Sequence, residues 1–187
     1  MDKTVKKPHS LQGVFRLPPD KSISHRSVLL NTIAGGSAQI SNYSTSLDCQ
    51  STLDCLKQLG ASIETCTTSG PTLNVIIHPT TLHMSDTPLD AGNSGTTLRL
   101  LTGFLASQPF FTTITGDSSL RKRPMGRIIE PLNLMGANIS GRDNKTLAPL
   151  EINGQQLSAI EYHMPIASAQ VKSAILLAGL FANGKTI

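Results

Sequence analysis

Leu56-Lys57-Gln58-Leu59-Gly60-Ala61-Ser62-Ile63 comes back 76 residues later (132 − 56) as Leu132-Asn133-Leu134-Met135-Gly136-Ala137-Asn138-Ile139. Each copy reads as the end of a helix, a glycine where the chain must take a left-handed turn, and the start of a strand. A second pair has the same offset (177 − 101 = 76). Leu101-Thr102-Gly103-Phe104-Leu105-Ala106 matches Leu177-Ala178-Gly179-Leu180-Phe181-Ala182, and Leu29-Leu30-Asn31-Thr32-Ile33-Ala34 is a looser copy 72 residues before the middle one. Two segments sharing one offset point to a duplicated supersecondary unit.

Outward from these signals the unit can be sketched. An apolar helix ending in Leu-Ala is followed by a strand such as 110–115. A more amphipathic helix then closes at Leu-Gly-Ala or Met-Gly-Ala, and strands such as 73–78 follow. This helix–strand–helix–strand–strand rhythm predicts an α/β fold. The third copy has its first helix and reaches Lys185-Thr186-Ile187 without a second helix or closing strands. The expectation is an incomplete third repeat, in a piece of a longer protein. The third helix, taken as 171–182, is apolar nearly all round and is expected to be buried.

Composition narrows the function classes. Aromatics make up 4% of the 187 residues and Trp is absent, which argues against the stacking platforms of single-strand nucleic-acid binders. Cys49, Cys55 and Cys66 show neither CxxC pairing nor zinc-ligand spacing with His, which suits a reducing compartment and no metal. The polar, basic start carries no secretory signal, and no stretch of 18 apolar residues could span a membrane. A cytoplasmic protein is expected. The net charge is +4, and the densest basic cluster is Arg121, Lys122, Arg123 and Arg127. It reads equally as a solvated loop or as an anion site.

The first helix of each unit opens on small or polar residues: Asp20-Lys21-Ser22, Asn93-Ser94-Gly95-Thr96 and Ser168-Ala169-Gln170. Such residues serve as ordinary N-caps. They also leave backbone N–H groups open to phosphate or carboxylate, and Lys21, Arg26 and Arg99 are cations close by. Repeats packed side by side could converge three such starts on one small polyanion, a phosphorylated or carboxylated substrate.

Four longer motifs run through the same positions: 17–26 (LPPDKSISHR), 92–99 (GNSGTTLR), 116–126 with its LRKRPMG core at 120–126, and 165–173 (PIASAQVKS). In this order they resemble the signatures of the 5-enolpyruvylshikimate-3-phosphate synthase family. The resemblance implies a fold of repeated βαβαββ units around buried parallel helices. It implies that residues 1–18 belong to a second domain, completed by a C-terminal half. Residues 19–187 would then form an incomplete N-terminal substrate-binding domain.

The implied activity is transfer of the enolpyruvyl group from phosphoenolpyruvate to shikimate 3-phosphate, with no metal or organic cofactor. By the same resemblance Lys21 would touch both substrates, with a part in proton transfer. Ser22, Arg26, Ser168, Ala169 and Gln170 would hold shikimate 3-phosphate, while Gly95, Arg123 and Gln170 would hold phosphoenolpyruvate. Ala169 stands where many members have serine, and Leu100 where many have proline. With Asp20-Lys21 and Ser24-His25, these departures resemble the subgroup that includes glyphosate-tolerant enzymes.

Three other readings compete. Gly179-Leu180-Phe181-Ala182-Asn183-Gly184-Lys185-Thr186 satisfies the nucleotide-binding pattern GxxxxGK[ST], but a working loop must follow a strand, and the repeat places a helix there. The related transferase acting on a UDP-amino sugar has a cysteine in its phosphoenolpyruvate loop, and 118–125 has none. A half-protein that binds a phosphorylated ligand without chemistry is the non-enzymatic alternative.

Overall fold

The computed structural model describes residues 3–10, 12–14, 17–68, 70 and 72–187. The first unit contains α1 (Lys21–Ile33), β1 (Ala38–Ser44), α2 (Leu47–Gln58), β2 (Ile63–Thr67) and β3 (Thr72–Ile77). The second contains β4 (Leu89–Asp90), α3 (Gly95–Leu105), β5 (Phe111–Thr115), a 3-10 turn at Leu120–Lys122, α4 (Gly126–Leu134), β6 (Asn138–Gly141), the short α5 (Arg142–Lys145) and β7 (Leu147–Asn153). Helix α6 (Ala169–Gly179) opens the third.

The two sheets carry the repeat. One has the order β1-β3-β2 and the other β4-β5-β7-β6. Strands β5, β7 and β6 pair antiparallel as β1, β3 and β2 do, while β4 lies parallel to β5 across α3. The second unit is thus a βαβαββ, and the first lacks a counterpart of β4 among the described residues. In the third, a parallel bridge of Ser158 with Asn183 spans α6 as the β4–β5 pair spans α3. The described residues before position 18 form no helix or strand and are exposed.

The glycine punctuation acts as expected. Gly60 and Gly136 have φ of +91° and +94°. Their N–H groups bond to the carbonyls of Lys57 and Asn133, and the next residues, Ala61 and Ala137, reach back to Leu56 and Leu132. That is the paired-bond closure a left-handed residue allows at a helix end. The 76-residue offset therefore holds for α2 and α4.

It does not hold for the first helices. Their N-caps are Asp20, Ser94 and Ser168, which are 74 residues apart in both intervals (94 − 20 and 168 − 94). Helices α3 and α6 are both 11 residues long, so residue 101 corresponds to 175 and not to 177. The likeness of 101–106 to 177–182 comes from helices built of the same apolar residues, read two places out of register.

Burial also differs from expectation at α6, which ends at Gly179. It is α3 that is enclosed, with Leu98, Leu100, Leu101 and Leu105 at most 1% exposed. Helix α6 buries Val171, Ala174, Ile175, Leu177 and Ala178 but leaves Leu176 and Leu180 more than half exposed. Those two, with Leu29, Leu30 and Leu177, line an open groove of about 220 Å³ between α1 and α6. Among the described residues, no element covers that face.

Contact between α3 and α6 is direct. A β-carbon at Gly103 would stand 2.2 Å from the Ala174 carbonyl oxygen. Only hydrogen fits there. The other side of α3 is tied by polar groups: the Thr97 and Thr52 hydroxyls lie 2.7 Å apart, and Thr52 lies 2.7 Å from Nδ1 of the buried His25. Burial pulls the His25 pKa from 6.5 down to about 4, with Arg26 and Lys21 assisting and Asp48 opposing.

Two outcomes follow for stability. Gly103→Ala should cost about 1–3 kcal/mol through overpacking, read as a lower urea midpoint; an unchanged midpoint would mean the helices do not touch there. Because the folded pKa of His25 lies below the unfolded value, its contribution is complete above pH 6.5 and is lost as the pH falls toward 4. The loss should approach about 3 kcal/mol at most. Urea titrations at several pH values should show His25→Asn losing less stability over this window than the parent chain, and equal slopes would contradict the buried neutral ring.

Candidate functional site

All three helix starts are capped by side chains. Asp20 Oδ1 accepts from the Ile23 N–H at 2.7 Å, Ser94 Oγ from Thr97 at 3.1 Å and Ser168 Oγ from Val171 at 3.4 Å. The plain capping reading is thus correct for each. A cap of this kind satisfies the third amide and leaves the first two without an intrahelical acceptor. Those are the amides of Lys21 and Ser22, Gly95 and Thr96, and Ala169 and Gln170.

Side chains draw the three starts together. Gln170 bridges α6 to α3: its Oε1 accepts from Arg99 Nη1 at 2.8 Å, and its Nε2 donates to Thr96 Oγ1 at 2.9 Å. Arg26 bridges α1 to α6, donating to the Ser22 carbonyl at 3.0 Å and to Ser173 Oγ at 2.7 Å. On the outer side, Lys21 Nζ meets Asp48 Oδ2 at 2.9 Å, and the Asp48 carbonyl accepts from Thr97 Oγ1 at 3.1 Å. First turns linked this way require parallel helices.

Gly95 is the crowded point. A β-carbon there would lie 2.5 Å from Arg99 Nη1 and 3.4 Å from Arg123 Nη1. Arg123 is held by Asn93, whose Oδ1 accepts at 2.6 Å and whose Nδ2 donates to Asp117 at 2.7 Å. The Asn93 amide and the Leu120 N–H hold the Asp117 carboxyl below its ordinary range. Asp117 in turn receives the Leu120 amide at 2.7 Å, which fixes the loop that carries Arg123.

The electrostatics favour an anion. Burial lowers the Arg99 pKa first, and the charges of Arg127 and Arg123 lower it further. Among the described residues, no ion pair joins Arg99, Arg123 or Arg127 to a carboxylate. Like charges left facing one another are relieved by a bound anion, and Arg presents a two-pronged donor to carboxylate or phosphate. Lys21 differs: Asp48 raises its pKa and holds the proton on it. As it stands, Lys21 offers a charge more readily than a proton. The neighbouring cavity of about 420 Å³ is lined by Asp48, Asp54, Asn93 and Asp117, so its sign suits the rim and not the seat of an anion.

Every residue singled out from the sequence lies at these starts or at the Arg123 loop that joins them. Lys21, Ser22 and Arg26 sit on the first turns of α1, Gly95 opens α3, and Ser168, Ala169 and Gln170 open α6. Ala169 is exposed, and its missing hydroxyl leaves Ser168 as the capping side chain. Leu100 is fully buried in the core of α3, away from the amides. Asp48 joins the site without having been counted in it, and Arg99, Asn93 and Thr96, already noted at the second helix start, lie here as well. Asp48 carries no sequence signal, since only folding brings α2 beside Lys21.

One competing motif falls away. The stretch 179–186 lies at the C-terminal end of α6, where the helix dipole is negative and repels phosphate.

Comparisons with known proteins converge. A family model described as EPSP synthase (3-phosphoshikimate 1-carboxyvinyltransferase) matches residues 5–187. The chain is 51% identical over 186 residues to the 3-phosphoshikimate 1-carboxyvinyltransferase of Thermoanaerobacter sp. (strain X514), covering 100% of this chain and 43% of that protein. The same identity is found over 189 residues with the enzyme of that name from Thermodesulfovibrio yellowstonii, again covering 43% of it. The solved structure of EPSP synthase from Acinetobacter baumannii superposes with a TM-score of 0.86 at 46% identity, covering 93% of this chain and 39% of that one. The chain therefore spans about two fifths of the length of the relatives it matches. On the sequence match along residues 5–187 and the shared fold, the chain belongs to the EPSP synthase family.

Proposed function

We propose that this chain is the substrate-anion half of a 3-phosphoshikimate 1-carboxyvinyltransferase. Convergence of three capped helix starts with arginines that form no ion pair with a carboxylate among the described residues is the observation that supports the reading. The amides at Ala169 and Gln170, with Ser22 and Arg26, would hold the shikimate phosphate. Gly95, Arg99 and Arg123 would grip phosphoenolpyruvate. Gln170 stands between the two groups and would reach both ligands. In the reaction the 5-hydroxyl gives its proton to a base as its oxygen bonds to the enol carbon, while the methylene carbon gains a proton from an acid. Phosphate then leaves as a proton is lost from the new methyl group, restoring the double bond.

These steps need an acid and a base near a closed, dry cleft. Residues 19–187 would supply one wall of that cleft. Residues 1–18 would belong with a second domain, whose C-terminal part would supply the remaining contacts. Lys21 would act chiefly as a cation, exchanging Asp48 for substrate oxygens, and could donate its proton only after leaving that carboxylate. A soluble cytoplasmic enzyme with no nucleic-acid or membrane partner fits this chemistry, and no helix among the described residues is long and apolar enough to cross a membrane.

In the full-length enzyme Lys21→Met should lower turnover more than tenfold, and near-normal steady-state kinetics would remove Lys21 from the mechanism. Gly95→Ala should raise the KM for phosphoenolpyruvate several-fold with a smaller effect on shikimate 3-phosphate, because the new methyl displaces Arg99 from Gln170; equal effects on both substrates would place Gly95 elsewhere. The 187-residue chain alone should show only weak, salt-sensitive binding of shikimate 3-phosphate and no turnover. Steady turnover by the purified chain would overturn the division of labour.

A further inference from the structure

His25 is turned toward Thr52 on α2, and the roles proposed above make no use of it. It is 2% exposed, one helical turn after Lys21 and beside Arg26 on α1. Its Nδ1 begins a line of three side-chain contacts, each 2.7 Å long: His25 to Thr52 on α2, Thr52 to Thr97 on α3, and Thr97 to Ser94, the N-cap of α3. Thr97 Oγ1 also lies 3.1 Å from the carbonyl of Asp48, the partner of Lys21. The line therefore touches α1, which carries Lys21, α2, which carries Asp48, and α3, which carries the Gly95 and Thr96 amides.

Hydrogen counting gives the line a direction. Each threonine hydroxyl has one hydrogen to donate. That of Thr97 is used toward Ser94 Oγ or the Asp48 carbonyl, so Thr97 accepts from Thr52. The Thr52 hydrogen is then used, and Thr52 must accept from His25. Nδ1 of His25 consequently carries a hydrogen. A buried ring in the other neutral tautomer would set two lone pairs against each other at 2.7 Å, which is repulsive.

We infer that His25 is a positioning residue: by donating from Nδ1 through Thr52 and Thr97 it fixes the cap of α3, and with it the Gly95 and Thr96 amides, relative to Lys21–Asp48. The downward pull of burial on its pKa keeps the ring neutral, as a fixed donor requires. The role of those amides rests on the function proposed above. The geometry of the line does not.

The test uses the 15N-labelled chain in three arms. Two-bond nitrogen–proton couplings should report the Nδ1–H neutral tautomer for His25. Amide exchange at Thr97, referenced to Leu150 and Ile152 in β7, should quicken at least tenfold in His25→Phe, which fills similar space without a donor. It should stay within about threefold in His25→Asn, whose side-chain Nδ2 can stand near the place of Nδ1. Thr52→Val breaks the line at its middle and should quicken Thr97 as His25→Phe does, with no further effect when the two are combined. Should His25→Phe fail to fold, Thr52→Val carries this arm. Inorganic phosphate should bind several-fold more weakly to the Phe and Val variants than to the Asn variant. An Nε2–H tautomer, or better protection of Thr97 in the Phe variant than in the Asn variant, would show His25 to be packing alone. If the parent chain binds no phosphate at all, the anion site fails, while couplings and exchange still decide the part of His25.

Discussion

The missing side chain at Gly103 is the constraint on which the arrangement depends. Without a β-carbon there, the backbones of α3 and α6 come into contact at Ala174. That approach lets Gln170 stand between Arg99 and Thr96. A wider separation would leave the amides of Gly95 and of Ala169 serving two separate sites. Close contact turns them into two walls of one. The remaining ties, Arg26 to Ser173 and Lys21 to Asp48, then close the group from the α1 side.

Charge is handled differently on the two sides of this group. Around Arg99 and Arg123 the positive charges are left facing one another, held in place by neutral amides such as Asn93 and Gln170. On the α1 side Lys21 is matched by Asp48 in advance. Arg99 is thereby left without a carboxylate partner among the described residues, whereas Lys21 already has one. Beneath both, the core keeps its polar groups uncharged: His25 stays neutral, and burial pushes the Cys55 thiol up to about 12, beyond reach of ordinary thiolate chemistry.

Much of this was legible in the residues, for definite reasons. Gly60 and Gly136 announce their helix ends because few residues but glycine tolerate φ near +90°, so a backbone requirement is written directly in the chain. The caps Asp20, Ser94 and Ser168 are equally plain, since side-chain oxygens at helix starts follow local rules. The apolar helices misled because Leu, Ala and Gly recur in any buried helix, and a two-residue slip costs nothing in likeness. The exposed Leu176 and Leu180 were hidden for a related reason: composition marks a face as apolar but not whether anything covers it. Asp48 and Thr52 escaped because their importance arises only when α2 packs against α1 and α3.

The equal cap spacing carries a consequence for how the chain came by its present form. From cap to left-handed glycine the first unit counts 40 residues (60 − 20) and the second 42 (136 − 94), while from glycine to the next cap they count 34 (94 − 60) and 32 (168 − 136). One unit has gained two residues ahead of its glycine and given up two behind it. Insertions and deletions have thus been compensated within a repeat, so that the period from cap to cap is restored to 74. The elements between have changed length, α1 and α2 having 13 and 12 residues against 11 and 9 in α3 and α4, while the starts of the first helices have kept time.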